Sequence, residues 1–241
     1  GRVAYETAKR VVTETQNLQT RIREAAQRNT VLNLGLIDSL ADLLFVQGSY
    51  LEKLERSTHI SLTIDNSSRL IERVDHNELD IALVAQPERL QGSLASGYVG
   101  EEPLVLVARA DLAGAARSDV ATKHLRHFIS YNQASRTHAL VAEHFAKQGI
   151  GLQSTFYSTS PEIMLQLVLA GRGAAVLPYA LVRPLLADKK LQTVAISDTP
   201  IINRTVISLH RSGRIVSGQA ASVLAHTSRE LKRLAQAAGG L

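Results

Sequence analysis

Four small groups of hydroxyl, amide and acid side chains punctuate this chain, each just behind a short apolar run: Asp38 with Ser39, Asn66 with Ser67 and Ser68, Asn132 with Ser135, and Ser158 with Thr159 and Ser160. An oxygen on Ser, Thr, Asn or Asp takes up a free amide N–H at a helix start, and the unpaired amides there attract negative charge. Taken singly, each group reads as a helix N-cap, worth roughly 1 kcal/mol to its helix and nothing to a ligand. If they face one cleft, they suit a small carboxylate or another anion. The candidate binding residues are therefore Asp38, Ser39, Ser67, Ser68, Asn132, Arg136, Thr159 and Ser160. Arg136 is the cation of the set, because a guanidinium grips a carboxylate at two points; the alternative is that it covers the surface of its own lobe. Asp38 either repels an anion or accepts a hydrogen bond from a ligand amine or hydroxyl. A ligand carrying both an acid and a donor group fits these residues best.

Other reactive patterns are weak. Gly171-Arg172-Gly173 follows a helical stretch rather than a strand, so it is no dinucleotide loop. His124 and His127 lie three apart without a third metal ligand nearby, which fits a solvated pair. There is no Gly-x-Ser-x-Gly elbow and no His-Glu-x-x-His. Asp65 and Asp80 can be drawn as a carboxylate pair, but nothing in the sequence fixes their separation. With no Cys, disulfides and thiolate chemistry are excluded. The expectation is a binding protein with no catalytic residue, no metal and no cofactor.

The elements that would position the candidates alternate strand and helix. Residues 158–182 are the clearest unit. A hydroxyl cluster, Pro161 and Glu162 open a helix, Gly171 stops it in the left-handed position, and residues 173–177 form a buried strand ended by Pro178. Earlier, strands at 31–36, 60–64 and 78–84 alternate with helices at 37–56 and 66–74, a βαβαβ order that argues for parallel pairing. A second set follows: a strand at 128–131, a helix from 132 to 148 stopped by Gly149 and Gly151, a strand at 153–158, and the unit just described. Extended runs at 104–108 and 204–209 would join the two sets as a double-strand hinge, and an amphipathic helix at 217–237 would return to the first. Ahead of them, residues 3–28 lack Pro and Gly. Ala4, Ala8, Val11, Thr15, Leu18, Ile22 and Ala25 mark a coiled-coil seam covered by a second chain or, alternatively, docked on its own domain.

Bulk properties are compatible with this. The 241 residues are 45% hydrophobic and 20% charged, ordinary values for a globular protein of one or two domains. No apolar run approaches the roughly 20 residues of a membrane span. The net charge of +5 permits nucleic-acid contact, but the basic residues are scattered and aromatics make up only 4%, so no stacking platform emerges. The chain begins with Gly and its only Met is Met164, as expected for a piece of a longer protein.

Several of these stretches resemble the LysR-type transcriptional regulators. Ser67, Leu70, the NELD of 77–80 and the following IALV are similar to the family's Ser/Thr, Leu, Gly-Glu-Leu-Asp and strand run. Residues 104–108 resemble its crossing strand, and VLAGRGAAVLP at 168–178 its Val-Ala-Ala-Gly-Leu-Gly-Ile-Ala-Leu-Leu-Pro segment. The resemblance extends over nearly all of 1–237. It departs at Asn77, where Gly is usual, and at Asp111-Leu112-Ala113, where His-Pro-Leu-Ala is common. Asn enters left-handed conformations more readily than most residues, so the first departure is tolerable.

The resemblance implies an α/β fold of two Rossmann-like lobes joined by two crossing strands, the type 2 periplasmic-binding-protein-like architecture, preceded by a long linker helix. Residues 1–29 would be the linker and dimerisation helix, 30–105 with 206–238 the first lobe, and 106–205 the second. It further implies a cytoplasmic homodimer or homotetramer that binds a small acidic effector and meets DNA only through a winged helix-turn-helix domain not in this sequence. The family's Ser or Thr matching Ser39 and Ser67 contacts the effector. A periplasmic solute-binding protein of the same architecture is the alternative, and a transferase or dehydratase on a two-lobe fold a more distant one.

Overall fold

A computed structural model describes residues 31–48, 50, 59–90, 92–111, 127–194 and 201–240. The helix expected at 3–28, the later part of the helix expected at 37–56, Leu112, Ala113 and His124 lie outside the described residues.

In the first lobe, β1 (Val31–Leu36), β2 (His59–Ile64) and β3 (Ile81–Ala85) run parallel, with β1 between the other two. All five residues of β3 are buried, the continuous apolar run of a strand covered on both faces. Between the strands come α1 (Asp38–Ala41), which runs directly into a π-helical turn at Asp42–Val46, and α2 (Ser67–Asp75). Leu70 and Val74, one turn apart, are the buried stripe of α2. That helix lies tight on the sheet: a Cβ at Gly35 would come within 2.9 Å of Leu70 and 2.7 Å of Leu79. Asn77 has φ 60°, as its place in the NELD stretch anticipated, and feeds the chain back toward β3.

The second lobe repeats the plan with β5 (Phe128–Tyr131), α3 (Arg136–Ala146), β6 (Ser154–Ser158), α4 (Pro161–Leu169) and β7 (Ala174–Pro178). Here β5 lies between β6 and β7, all parallel. Gly171 takes φ 73° as the cap of α4. Gly173 is required more strictly, since a Cβ there would stand 1.8 Å from the His127 carbonyl oxygen. The helix α5 (Tyr179–Ala187) and a short strand β8 (Leu191–Thr193) complete this half.

Two long antiparallel strands connect the halves. β4 (Leu94–Arg109) and β9 (Ile201–Arg211) pair from Leu94 opposite Arg211 to Val105 opposite Ile201, with a register shift between Tyr98 and Gly100. Both are longer than the sequence implied. The signal for β4 was broken by the Gly, Ser and Glu residues of 96–102, which a half-exposed pairing tolerates. The strand order through the described residues is β2-β1-β3-β9-β4-β7-β5-β6, with β8 beside β4. Each half keeps its own apolar core. One gathers Leu34, Leu36, Leu70, Leu83 and Leu209 under α6 (Gly218–Ala238); the other forms on the two faces of β7 from Phe128, Phe145, Met164 and Leu177.

Candidate ligand-binding cleft

A cavity of about 620 Å³ opens between the lobes, where the leading ends of α1, α2, α3 and α4 come together. Its wall includes Asp38, Ser39, Ser67, Ser68, Asn132, Arg136, Thr159 and Ser160. The helices arrive there because each strand before them ends at this edge of the sheet, the usual location of ligands in open α/β sheets. Local cap chemistry then fixes each tip. Asn66 Oδ1 accepts from the Arg69 amide at 3.0 Å, Ser135 Oγ from the Thr137 amide at 3.2 Å and Ser160 Oγ from the Ile163 amide at 3.4 Å. Ser67 is tied across the lobe instead, its Oγ accepting from the Ala85 amide at 3.2 Å. Asn132 closes its turn by accepting from the Ala134 amide at 3.0 Å.

Ser39 is held differently. Its Oγ accepts a hydrogen bond at 2.7 Å from Nη2 of Arg204, a residue of β9. Nη1 of the same guanidinium donates at 2.7 Å to Thr137 Oγ1 of α3, and Nε donates at 3.0 Å to Glu102 Oε2 on β4, which Nη2 also meets. Arg204 and Glu102 stand directly opposite one another in the strand register, both buried. One guanidinium thus links a hydroxyl from each lobe to the crossing strands. Burial alone would lower its pKa, but the Glu102 carboxylate and Tyr131 outweigh that and raise it. Tyr131 also lines the cavity, is only 5% exposed, and its phenolic oxygen has no hydrogen-bond partner among the described residues. Burial pushes that phenol well above its ordinary range, with Arg204 opposing and Glu102 and Asp38 reinforcing the shift.

Arg204, Thr137 and Tyr131 were absent from the sequence candidates. No local signal marked the first: Arg204 reads as one more polar residue in a strand that also carries Asn203, Thr205 and Ser208, and its partner Glu102 is fixed only by the register of β4 on β9. Arg136 does line the cavity, but its guanidinium is engaged across the mouth by the Gln86 carbonyl at 3.2 Å and Glu88 at 2.9 Å. It does not simply cover its own lobe. Asp38 has a raised pKa, through burial first and then the nearby Glu162 and Asp42 carboxylates. Asp65 and Asp80 form no pair: Asp65 faces Arg69 at 3.8 Å, while Asp80 binds Arg214 and accepts from the Asn33 amide at 2.7 Å. Among the described residues no cluster of three or more His, Asp or Glu is arranged to hold a metal. No helix there is long and apolar enough to cross a membrane.

Two α/β lobes sharing a pair of crossing strands, with a polar cavity between them, define the type 2 periplasmic-binding-protein-like architecture. The chain belongs to the LysR substrate binding domain family, which matches residues 25–232. It is 28% identical over 158 residues to the RuBisCO operon transcriptional regulator of Acidithiobacillus ferrooxidans, a match covering 65% of this chain and 50% of that protein. The chain spans about half the length of the curated relatives it matches. Among solved structures, the regulatory domain of CcmR from Synechocystis PCC6803 in complex with 2-PG superposes with TM-score 0.67 at 23% identity, covering 84% of this chain and 97% of that one. The reduced form of the OxyR2 regulatory domain from Vibrio vulnificus gives 0.65 at 19%, covering 86% and 97%. Both likenesses show the fold. The family is one of transcriptional regulators, not enzymes.

Proposed function

We propose that this chain is the effector-sensing part of a cytoplasmic LysR-type regulator and that its effector is a small acidic metabolite bound in the interlobe cavity. Ser39, Ser67, Ser68, Asn132, Thr159 and Ser160 would supply hydroxyl, amide and backbone N–H donors to the acid, and Arg136 a cation at the mouth. Asp38 would select for an additional donor group on the ligand. The observation that carries this reading is the convergence of helix tips from both lobes on one polar cavity. The family match favours it over a periplasmic solute-binding protein. Support for the ligand class comes from the neighbour bound to 2-phosphoglycolate and from relatives named for the RuBisCO operon.

A ligand held by both lobes favours one lobe arrangement over another only by its difference in affinity for the two. The preferred arrangement would then reposition DNA-binding heads, in a homodimer or homotetramer, outside this chain. The test is a thermal-shift and calorimetric titration with 2-phosphoglycolate, glycolate and inorganic phosphate. Binding to the native fold raises stability by about 2.7 kcal/mol at a hundredfold excess over Kd. Loss of that shift in Ser39→Ala and Ser67→Ala supports the site; a shift that survives both places the ligand elsewhere.

A further inference from the structure

The deepest part of the cavity carries a feature that the helix tips do not explain. A hydroxyl has one proton to donate and two lone pairs to accept with. On Ser39 and on Thr137 a lone pair is already taken by an Arg204 N–H, at 2.7 Å in each case. Neither O–H can point back at the cation that donates to it. Among the described residues, neither proton has a protein acceptor, and both side chains line the cavity. Glu102 neutralises the guanidinium from behind, on the strand opposite. Tyr131, on the same floor, adds a phenol without a hydrogen-bond partner among the described residues.

We propose that Arg204 is a positioning residue that acts through Ser39 and Thr137: by occupying their lone pairs it commits one hydroxyl from each lobe to donate into the cavity, making the floor a seat for the oxyanion head group of the effector. The head group is an anion with at least two acceptor oxygens, such as a phosphate, sulfonate or carboxylate, held by O–H donors rather than by a direct ion pair. Because the two hydroxyls come from opposite lobes and share one guanidinium, an anion on both of them fixes the lobes relative to the crossing strands. This inference rests on the cavity being the effector site.

The experiment is calorimetric titration of the chain with inorganic phosphate, sulfate and acetate, with glycerol as a neutral probe. It is run on the native chain, on Ser39→Ala, on the neutral floor pair Glu102→Gln with Arg204→Gln, and on their combination. Each change alone is expected to weaken phosphate binding about tenfold, and the combination to weaken it little further, since both remove one coupled contact. A product of the two losses, or no loss in the floor pair, overturns the proposal, because a merely structural Arg204 would act independently of Ser39. Should the floor pair fail to fold, Thr137 supplies the reading. Thr137→Ser is expected to retain binding and Thr137→Val to lose it, and equal affinities in the two overturn the proposal. A native chain that binds none of the anions overturns the cleft reading and this inference together; a native chain that binds them without the coupling overturns this inference alone.

Discussion

The cavity has two arginines that behave oppositely. Arg204 lies on the floor with its side chain 7% exposed against a Glu102 that is 1% exposed. Arg136 lies at the mouth, 32% exposed, against a Glu88 that is 76% exposed. A pair at the surface gains little, roughly 0–1 kcal/mol, and salt screens it. A fully buried pair has given up its hydration, so its worth lies in being complete: removing one member leaves an uncompensated charge. The mouth pair can therefore exchange partners, Glu88 for a ligand carboxylate. The floor pair is built to stay.

The largest expected effect follows from that contrast. Arg204→Met alone should lower the stability of the fold by about 3–5 kcal/mol, read as a reduced midpoint in urea unfolding. The double change Glu102→Met with Arg204→Met should recover most of the loss, since similar apolar side chains often replace a buried pair at little cost. A double variant as weak as the single one would mean that the hydroxyls of Ser39 and Thr137, not the charges, hold the floor together. Next come the caps. Asn66→Ala and Ser160→Ala should each cost roughly 1 kcal/mol in the same measurement, because each strips one acceptor from a helix start. Below them, Arg136→Ala should change stability by less than about 1 kcal/mol. Glu88→Gln should instead strengthen anion binding a few-fold at low salt, an advantage that fades as ionic strength rises. If Glu88→Gln leaves anion affinity unchanged at low salt, the mouth is as fixed as the floor and the contrast fails.

The same contrast separates what the sequence carried from what it did not. Helix tips were legible because capping is local: Asn66 and Ser160 meet amides three residues on, and Gly171 ends α4 within its own turn. The alternation of strand and helix was legible for the same reason, and the extended runs at 104–108 and 204–209 already read as a double-strand hinge between two lobes. The π-helical turn at Asp42–Val46 carried no recognisable breaker and read as ordinary helix. Arg204 and Glu102 were out of reach, since they are 102 residues apart and meet only through the register of β4 on β9. Arg136 was found as a cation at the cavity, but its grip on Glu88, 48 residues away, was not. Residue type showed which groups could cap; register decided which charges could pair.

Asp38 sharpens the difference between floor and mouth through pH, with the smallest expected effect on stability. Burial, then Glu162 and Asp42, hold its carboxyl above the ordinary value of 3.8. The native state thus binds this proton more tightly than the unfolded chain does. Its contribution to stability is fully present below the unfolded value and is lost as pH rises through the raised native value. An anion placed beside Asp38 repels the charged form and raises that value further, so binding should take up a fraction of a proton in this window. Affinity for inorganic phosphate, corrected for its own ionisation, should then increase as pH falls through the raised native value. Asp38→Asn should flatten the profile and raise affinity at the neutral end. Calorimetry in buffers of different ionisation enthalpy measures the proton uptake directly. Uptake of the same size in Asp38→Asn would assign it to another group and leave Asp38 outside the reach of the bound anion, whereas its loss would place the carboxyl within the field of the floor.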